Sequence, residues 1–409
     1  DALLRPDQAA HVAHAGAITA RHGWGLYAVG GFVRDLLLGR RPGDLDLVIE
    51  GDAVAVAREL AQATGGALRS HEAFHTATVE WPDAPDLPHL DFITARAEFY
   101  EHPSALPEVE AASLRHDLHR RDFTVNTLAL ALTPARRGHL YDFYGGLRDL
   151  ERKLIRVLHN LSFIDDPTRL LRAVRLAARL GFAIEPRTGE LIGDAIAQGL
   201  IHRTTPARIR HELRLLLEEP GAPAALALLA ETGLLAALHP ALRFDQPIAA
   251  RVESALALEL PAELRRDLLL LLLLGPLPAD ERAALAERFL LPQRVRQLVA
   301  QRNRLDSLDP ELRALALGDG GLDRLLAPFD ELALRAAALD SGGLAAERIA
   351  AYLERLRPVA ALLNGNDLRA AGLPPGPRYA ELLARARAAQ LDERWAGREE
   401  ALRWLDGVV

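Results

Sequence analysis

Residues 30–50 read GGFVRDLLLGRRPGDLDLVIE. A short apolar run, residues 26–29, precedes the two glycines, and this order predicts a buried strand followed by a turn. A turn at Gly30 and Gly31 lets backbone N–H groups approach a polyphosphate without obstruction from a Cβ atom. Arg34 follows about one helical turn later, where its forked guanidinium can bind a phosphate oxygen. The segment therefore predicts a strand, a glycine turn and a short helix built around phosphate.

Two aspartates, Asp44 and Asp46, lead into the apolar strand that ends this segment. Because residues i and i+2 of a strand face the same way, the two carboxylates project together while Leu45 and Leu47 pack behind them. Carboxylates that lie this close repel each other unless a cation lies between them. Mg²⁺ is the expected cation, since it prefers one or two carboxylates together with substrate phosphates. These features together predict a single site for a nucleoside triphosphate and its metal.

The pattern GGxVRDxLLGRxxxDxD resembles the first motif of the class II nucleotidyltransferases. This polymerase-β-like family contains the bacterial tRNA CCA-adding enzymes and the poly(A) polymerases. The resemblance implies that Asp44 and Asp46 are catalytic metal ligands, and that Gly30, Gly31 and Arg34 bind the nucleotide. It also implies an α/β head, built on a small mixed sheet with helices, followed by an all-helical neck, body and tail.

Composition sets limits on the class of protein. A chain of 409 residues with 49% hydrophobic and 26% charged residues is long enough for two to four globular modules. The absence of cysteine excludes disulfides and thiolate metal sites. The net charge of −7 does not by itself indicate a nucleic-acid-binding protein, so RNA binding would depend on local clusters of arginine.

The sequence also predicts the compartment. The N-terminus shows no charged segment followed by an apolar one, as a signal peptide would. The most apolar run, residues 268–274, is far shorter than the ~20 residues that a membrane span needs. We therefore expect this run to be a buried helix and the protein to be cytoplasmic.

A third acid, Asp91, lies in the alternating run HLDFIT, residues 89–94. If this strand lies beside the strand of Asp46, Asp91 completes a three-carboxylate site for two metal ions. The resemblance supports this role, since the family has an acid in the matching strand before its T-x-R sequence, here residues 94–96. A solvated aspartate is the alternative. Residues 96–113, with two prolines and no clear period, predict a mobile loop.

Residues 120–126 read RRDFTVN and resemble the RRDFTxN motif of the same family. Paired arginines, here Arg120 and Arg121, supply positive charge for a triphosphate. Asp122 and Asn126 can hold ribose hydroxyls, because both side chains carry hydrogen-bonding oxygens. We expect all four residues to bind the nucleotide.

Residues 165–175 read DDPTRLLRAVR, and an acid before a proline predicts a helix start. The three arginines are spaced i, i+3 and i+6, so they share one helical face. The stretch resembles the family's E-D-x-x-R motif, in which an aspartate and an arginine present acceptors and donors to the incoming base. By this resemblance Asp166 and Arg169 read the base, and Arg172 and Arg175 face the phosphates. Asp165 replaces the family's glutamate.

Beyond residue 153 the pattern is nearly all helical. A stretch rich in glycine and proline, residues 364–377, resembles the tail of tRNA nucleotidyltransferases. The expected division is a catalytic head at residues 1–150, a neck with the base template at 151–220, a body at 221–320 and a tRNA-binding tail at 321–409.

The resemblance implies a reaction in which the 3′-hydroxyl of tRNA attacks the α-phosphorus of CTP or ATP and pyrophosphate leaves. The expected activity is Mg²⁺-dependent addition of CCA to tRNA. An enzyme that adds only CC or only the terminal A would share nearly every motif. A poly(A) polymerase shares the head, and a noncatalytic RNA-binding descendant is the alternative from a different class.

Overall fold

The computed structural model describes residues 4–43, 45–99, 108–314 and 316–408. The chain forms two compact units. The first comprises Asp1–Arg208 and Leu228–Leu238, and the second comprises Ile209–Ala227 and His239–Val409. All strands among the described residues belong to the first unit.

The first unit contains one mixed sheet and two short strand pairs. In chain order, the strands are β1 (Gly25–Val29), β2 (Asp46–Glu50), β3 (Ala67–His71), β4 (Thr76–Glu80), β5 (Leu90–Thr94), β6 (Arg96–Phe99), β7 (Glu108–Ala111), β8 (Ala129–Ala131), β9 (Leu140–Tyr141), β10 (Leu154–Ile155) and β11 (Ala183–Ile184). The seven-stranded sheet has the order β3-β4-β5-β2-β1-β8-β9. Within it β2 and β5 run parallel, and the other neighbours run antiparallel.

Helices make up most of the remaining chain. The first eleven are α1 (Pro6–Arg21), α2 (Gly31–Leu37), α3 (Ala53–Thr64), α4 (Leu114–His119), α5 (Gly146–Glu151), α6 (Ser162–Asp165), α7 (Arg169–Leu180), α8 (Pro186–Ala197), α9 (Pro206–Glu218), α10 (Ala222–Glu231) and α11 (Leu234–Leu238). The others are α12 (Gln246–Leu256), α13 (Ala262–Leu274), α14 (Ala279–Arg288), α15 (Gln293–Ser307), α16 (Asp309–Leu312), α17 (Asp319–Leu326), α18 (Glu331–Asp340), α19 (Leu344–Ala351), α20 (Gly365–Ala370), α21 (Pro377–Leu391) and α22 (Arg398–Asp406).

The strand, turn and helix predicted around the two glycines are confirmed. β1 is buried beyond its first residue and is followed directly by α2. Phe32 and Val33 hold α2 against the core, since both are buried. The helix stops before Gly39, whose φ of 66° is a left-handed conformation that favours glycine.

The predicted loop at residues 96–113 is wrong in part. β6 and β7 pair antiparallel, with Arg96 opposite Ala111 and Phe99 opposite Glu108. Each strand has four residues, which is too short for a period to be detected in the sequence. Their pairing depends on contacts between the two strands rather than on a pattern within either. Residues 100–107, which include both prolines, lie outside the described part of the chain.

Contacts in the first unit hold α7 beside the sheet. The Thr124 amide donates to the carbonyl of Arg156 at 2.9 Å, and Phe123 forms an antiparallel bridge with Val157, just after β10. Arg40 donates to the last two carbonyls of α7, each at 3.3 Å. A cation there is favourable because the carbonyl end of a helix carries partial negative charge.

The second unit is built around apolar helices and buried ion pairs. The buried helix predicted at residues 268–274 is confirmed as the last part of α13. Arg302 and Asp340 are both largely buried and lie 3.3 Å apart, and burial raises the pKa of Asp340. None of the helices that the structure describes has the length and apolar character that a bilayer crossing requires.

Candidate functional site

A cleft of about 580 Å³ opens in the first unit between the sheet, α2, the segment after α4, and α7. Eight arginines and three aspartates line it, so its net positive charge suits a polyphosphate. Eleven of the residues predicted from the sequence line this cleft: Gly31, Arg34, Asp46, Arg120, Arg121, Asp122, Asn126, Asp166, Arg169, Arg172 and Arg175.

Gly30 forms the turn between β1 and α2. Its φ of 71° is a left-handed conformation, and its amide donates to the Leu128 carbonyl at 3.1 Å. A Cβ atom at Gly30 would lie 2.5 Å from Nη1 of Arg121, which is closer than such atoms can approach. The backbone conformation therefore favours glycine here, and any larger residue would move the guanidinium of Arg121.

We expect Gly30→Ala to weaken nucleoside triphosphate binding about tenfold, because the added methyl displaces Arg121 and a charge-assisted hydrogen bond is lost. Gly39→Ala is the matched control, since Gly39 also has a positive φ but a Cβ there meets nothing within 4 Å. Both variants should lose about 1–2 kcal/mol of stability from the left-handed conformation. Titration with CTP measures the difference, and equal Kd values for the two variants would contradict the steric argument.

Arg34 is buried, and an adjacent aspartate holds its guanidinium. Nε and Nη2 donate to the two carboxylate oxygens of Asp35 at 2.8 and 2.9 Å, and Nη1 donates to Asn126 Oδ1 at 2.6 Å. The Asp35 carboxylate also lies 3.6 Å from Arg179 on α7. The two guanidinium nitrogens predicted to bind phosphate as a fork are thus bonded to Asp35 in the structure. Arg34 still borders the cleft.

Arg120 and Arg121 share one buried carboxylate that the sequence analysis missed. Asp117 is fully buried, and it accepts from Nε and Nη2 of Arg120 at 3.0 and 2.8 Å and from Nη2 of Arg121 at 3.3 Å. This pairing orients both arginines at the cleft. The signal was present, because an acid three and four residues before two arginines on a helix is positioned to pair with both.

Asp122 links the segment after α4 to α7. One carboxylate oxygen accepts from Asn126 Nδ2 at 2.9 Å, and the other accepts from Nη2 and, at 3.0 Å, from Nε of Arg172. Burial by itself would raise the pKa of Asp122. The charge of Arg172, the hydrogen bonds from Asn126 and Arg172, and the charge of Arg169 outweigh burial and lower the pKa to about 2.

This pKa predicts how acid changes stability. Because an unfolded aspartate titrates near 3.9, ionised Asp122 stabilises the folded state above about pH 4, and this contribution is lost as the pH falls towards 2. The contribution is roughly 2 kcal/mol. Asp122→Asn should therefore show a flatter loss of unfolding free energy between pH 4 and pH 2, measured by urea titration. Parallel curves for the two proteins would contradict the pairing.

The strand neighbours expected for the carboxylate site are confirmed. β2 and β5 are parallel with Asp46 opposite Asp91, so both carboxylates project from the same face of the sheet. Asp91 accepts from Thr78 Oγ1 at 2.6 Å and lies 3.3 Å from Nε2 of His89. It borders a neighbouring hollow of about 180 Å³ rather than the larger cleft.

Asp44, the first of the predicted metal ligands, lies outside the described residues. In the part of the chain that the structure describes, no group of three His, Asp or Glu side chains lies within reach of one metal ion. Asp46 and Asp91 nevertheless supply carboxylate oxygens from adjacent strands, and Mg²⁺ prefers such ligands. The donor chemistry therefore fits the predicted metal, whose ligand assignment stays a prediction.

The helix predicted after the acid and the proline is present, and it begins just beyond them. α6 ends at Asp165, Asp166 is extended with φ −139° and ψ 97°, and α7 begins at Arg169. Pro167 explains the break, because a residue before proline is driven out of the helical conformation. Asp165 does not line the cleft, and its carboxylate lies 3.7 Å from His159. The structure therefore does not bring Asp165 to the other predicted residues.

Asp166 and Arg169 both border the cleft. Oδ1 of Asp166 accepts from the amide and hydroxyl of Thr168 at 3.0 and 2.7 Å, and from Arg208 at 2.8 Å. Its Oδ2 makes no hydrogen bond to any described residue. Arg169 is 6% exposed and donates to Ser162 and to the backbone of Arg120.

α7 separates charged and apolar side chains, as its spacing predicted. Arg172, Arg175 and Arg179 line the cleft, whereas Leu170 and Val174 are fully buried. Arg179 continues the three- and four-residue spacing and could have been found from the sequence. Arg96, the last residue of the T-x-R sequence, also lines the cleft, whereas the contact between Arg208 and Asp166 is formed only through the tertiary fold.

Two family descriptions match the chain. Residues 26–156 match the poly(A) polymerase head domain. Residues 181–245 match a probable RNA- and SrmB-binding site of polymerase A. The first match covers the sheet and the segment after α4, so it contains the glycine turn and the paired arginines.

Curated relatives resemble the chain along most of its length. An A-adding tRNA nucleotidyltransferase of Halalkalibacterium halodurans is 35% identical, with 95% of this chain and 90% of that protein covered. A CC-adding tRNA nucleotidyltransferase of Deinococcus radiodurans is 36% identical, with 88% and 83% covered. An A-adding tRNA nucleotidyltransferase of Geobacter sulfurreducens is 35% identical over 92% of this chain, which spans only 44% of that protein.

Solved structures share the fold. A CCA-adding enzyme in an apo form has a TM-score of 0.84 and 29% identity, with 99% of this chain and 97% of that chain covered. The Thermotoga maritima CCA-adding enzyme complexed with tRNA has a TM-score of 0.80 and 27% identity, with 99% and 96% covered. The mixed sheet followed by helices is therefore confirmed by similarity to known structures.

Proposed function

Because the chain belongs to the tRNA nucleotidyltransferase family, we propose that it adds CMP and AMP, taken from CTP and ATP, to the 3′ end of tRNA. The observation that carries the proposal is an arginine-lined cleft that collects residues from the glycine-turn, RRDFTVN and DDPTR motifs. The T. maritima enzyme solved with tRNA supports the choice of RNA substrate, since this chain covers 96% of it.

The proposed reaction is a phosphoryl displacement. The 3′-hydroxyl oxygen loses its proton to solvent and forms a bond to the α-phosphorus, the bond from that phosphorus to the bridging oxygen breaks, and pyrophosphate leaves with the electron pair. Asp44 and Asp46, with Asp91, would hold the Mg²⁺, which when bound makes the hydroxyl more nucleophilic and neutralises the triphosphate. Asp46 and Asp91, opposite each other on parallel strands, support this choice of ligands.

Arginines of the cleft would bind the triphosphate. Arg120 and Arg121 are held by Asp117, so their orientation is set before the nucleotide arrives. Arg172 and Arg175 add charge from α7. A preorganised set of cations stabilises the charge that develops on the phosphoryl oxygens more strongly than mobile ones.

Asp166 and Arg169 would select the base. Cytosine and adenine each present an amino donor beside a ring-nitrogen acceptor, whereas uracil and guanine present a carbonyl acceptor beside an N–H donor. A carboxylate next to a guanidinium therefore pairs with cytosine and adenine and opposes the other two. A site built on such hydrogen bonds rejects the wrong base strongly, because the buried groups would be left unpaired.

Addition of the terminal A alone is the second candidate. The H. halodurans relative, with 35% identity over 95% of this chain, is named A-adding, and the D. radiodurans relative, with 36% identity over 88%, is named CC-adding, so CC addition is a further outcome of the test. We keep the division into head, neck, body and tail as part of the proposal, with the helical second unit binding tRNA mainly through shape and backbone.

The test is incorporation of labelled CTP and ATP, with Mg²⁺, into three RNAs: tRNA lacking CCA, tRNA lacking only the final A, and an unstructured oligonucleotide. Two C additions and one A on tRNA alone support full CCA addition. A only, on the second RNA, selects the second candidate, and C only selects CC addition. Tailing of the oligonucleotide with A would overturn the proposal in favour of a poly(A) polymerase.

A further inference from the structure

A buried serine, Ser162, holds the side chain of Arg169. Its Oγ accepts a hydrogen bond from Nη1 of Arg169 at 2.7 Å, and Ser162 is 0% exposed. Ser162 is the first residue of α6 and Arg169 is the first of α7, so this bond crosses the break between the two helices. Among the described residues, Arg169 is the only side-chain partner of this hydroxyl.

A second anchor comes from the segment after α4. Nη2 of Arg169 donates to the backbone carbonyl of Arg120 at 2.7 Å. A guanidinium has five N–H donors, so these two bonds leave three for the cleft that Arg169 lines. Because both terminal nitrogens are fixed, the plane of the guanidinium is set by the protein.

We propose that Ser162 is a positioning residue for nucleotide selection. Its hydroxyl fixes the guanidinium plane so that Arg169 donates to the ring nitrogen of cytosine or adenine. This inference rests on the proposed function, since it takes Arg169 as the residue that reads the base. Ser162 itself touches neither the base nor the reacting atoms.

Orientation matters because an arginine is a donor to any acceptor it can reach. Uracil and guanine present a carbonyl oxygen next to the ring nitrogen, and a guanidinium free to turn can donate to that oxygen. Rejection of these bases therefore depends on a guanidinium that does not turn. When the serine hydroxyl is removed, the Arg120 carbonyl is the only one of the two contacts left, and the guanidinium of Arg169 can rotate about it.

The experiment measures kcat and KM of Ser162→Ala for CTP and UTP on tRNA lacking CCA, and for ATP and GTP on tRNA lacking the final A. We expect the preference for the correct base to fall about tenfold, the loss expected when a hydrogen bond to a charged group is weakened. The change should lie mainly in KM, which should rise for the correct nucleotide and fall for the wrong one, with kcat nearly retained. Ser162→Thr, which keeps the hydroxyl, should restore the preference.

Thr188→Val is the matched control. Thr188 is also a fully buried hydroxyl, and it bonds Val157 and Glu185 rather than an arginine of the cleft. Its loss should lower thermal stability without changing base preference. An unchanged preference in folded Ser162→Ala, or an equal loss of preference in Thr188→Val, would overturn the inference.

Two further variants separate the possible failures. If Ser162→Ala does not fold, Ser162→Cys replaces it, because sulfur keeps the volume but is a weaker acceptor; an unchanged preference in that variant also overturns the inference. Arg169→Ala tests the premise. If it abolishes base preference while the Ser162 variants do not, the inference alone fails, and if it retains the preference, base reading by Arg169 in the proposed function fails.

Discussion

Replacing Asp46 with asparagine is expected to lower kcat for nucleotide incorporation into tRNA by about 1000-fold, or about 4 kcal/mol of transition-state stabilisation. Asparagine keeps the size of the side chain but removes the negative charge on which a metal ligand depends. The position of Asp46 at the cleft, opposite Asp91 on the parallel neighbour strand, is the structural basis for this expectation. Single-turnover incorporation of labelled CTP measures the effect.

Asp83→Asn provides the control, since Asp83 is exposed in the turn between β4 and β5 and the variant makes the same change of charge. It should keep full activity. Asp91→Asn is the second arm, and a loss similar to that of Asp46→Asn would support a third ligand. If folded Asp46→Asn retains activity within tenfold, the metal assignment is wrong.

Replacing Arg169 with alanine is expected to reduce the preference for CTP over UTP by at least about 100-fold. The variant removes the guanidinium that donates to the ring nitrogen of cytosine or adenine. It also leaves a space in which the N–H group of uracil meets no opposing donor. Two internal hydrogen bonds, to Ser162 and to the Arg120 carbonyl, are lost as well. Competitive incorporation from mixtures of CTP and UTP gives the ratio directly.

Arg179→Ala removes the same charge from the same helix and the same cleft, about three helical turns further along. It should raise KM for all four nucleotides by similar factors and leave the preference unchanged. An Arg169→Ala enzyme that still prefers CTP over UTP would show that another residue reads the base.

The sequence was sufficient wherever a function depends on local spacing. The glycine turn before α2 follows from two adjacent glycines after an apolar strand, and the cleft face of α7 follows from arginines three residues apart. Both features are decided within one or two turns of backbone. For the same reason the buried helix α13 was visible as a leucine run.

The remaining features depend on contacts between distant segments. The spacing before Arg120 and Arg121 indicated a partner at Asp117 but not its complete burial, and Ser162 became meaningful only when α6 and α7 were seen to meet at the Arg169 side chain. Asp165 precedes Asp166 directly in sequence, yet its carboxylate lies beside His159 and not at the cleft, and only the tertiary structure shows this. Each of these depends on tertiary contact, which spacing does not report.

Five arginines of the cleft already hold an aspartate of the protein itself. Asp35 pairs with Arg34 and Arg179, Asp117 pairs with Arg120 and Arg121, and Asp122 pairs with Arg172. A triphosphate entering this cleft meets arginines whose charge is already balanced by buried carboxylates of the protein and not by small ions from solution. Few counterions are then released, so nucleotide affinity should depend on salt less steeply than eight cleft arginines would suggest. The carboxylates of the chain serve as counterions for the cleft arginines, so part of the acidic net charge of the protein keeps these arginines paired before the nucleotide binds.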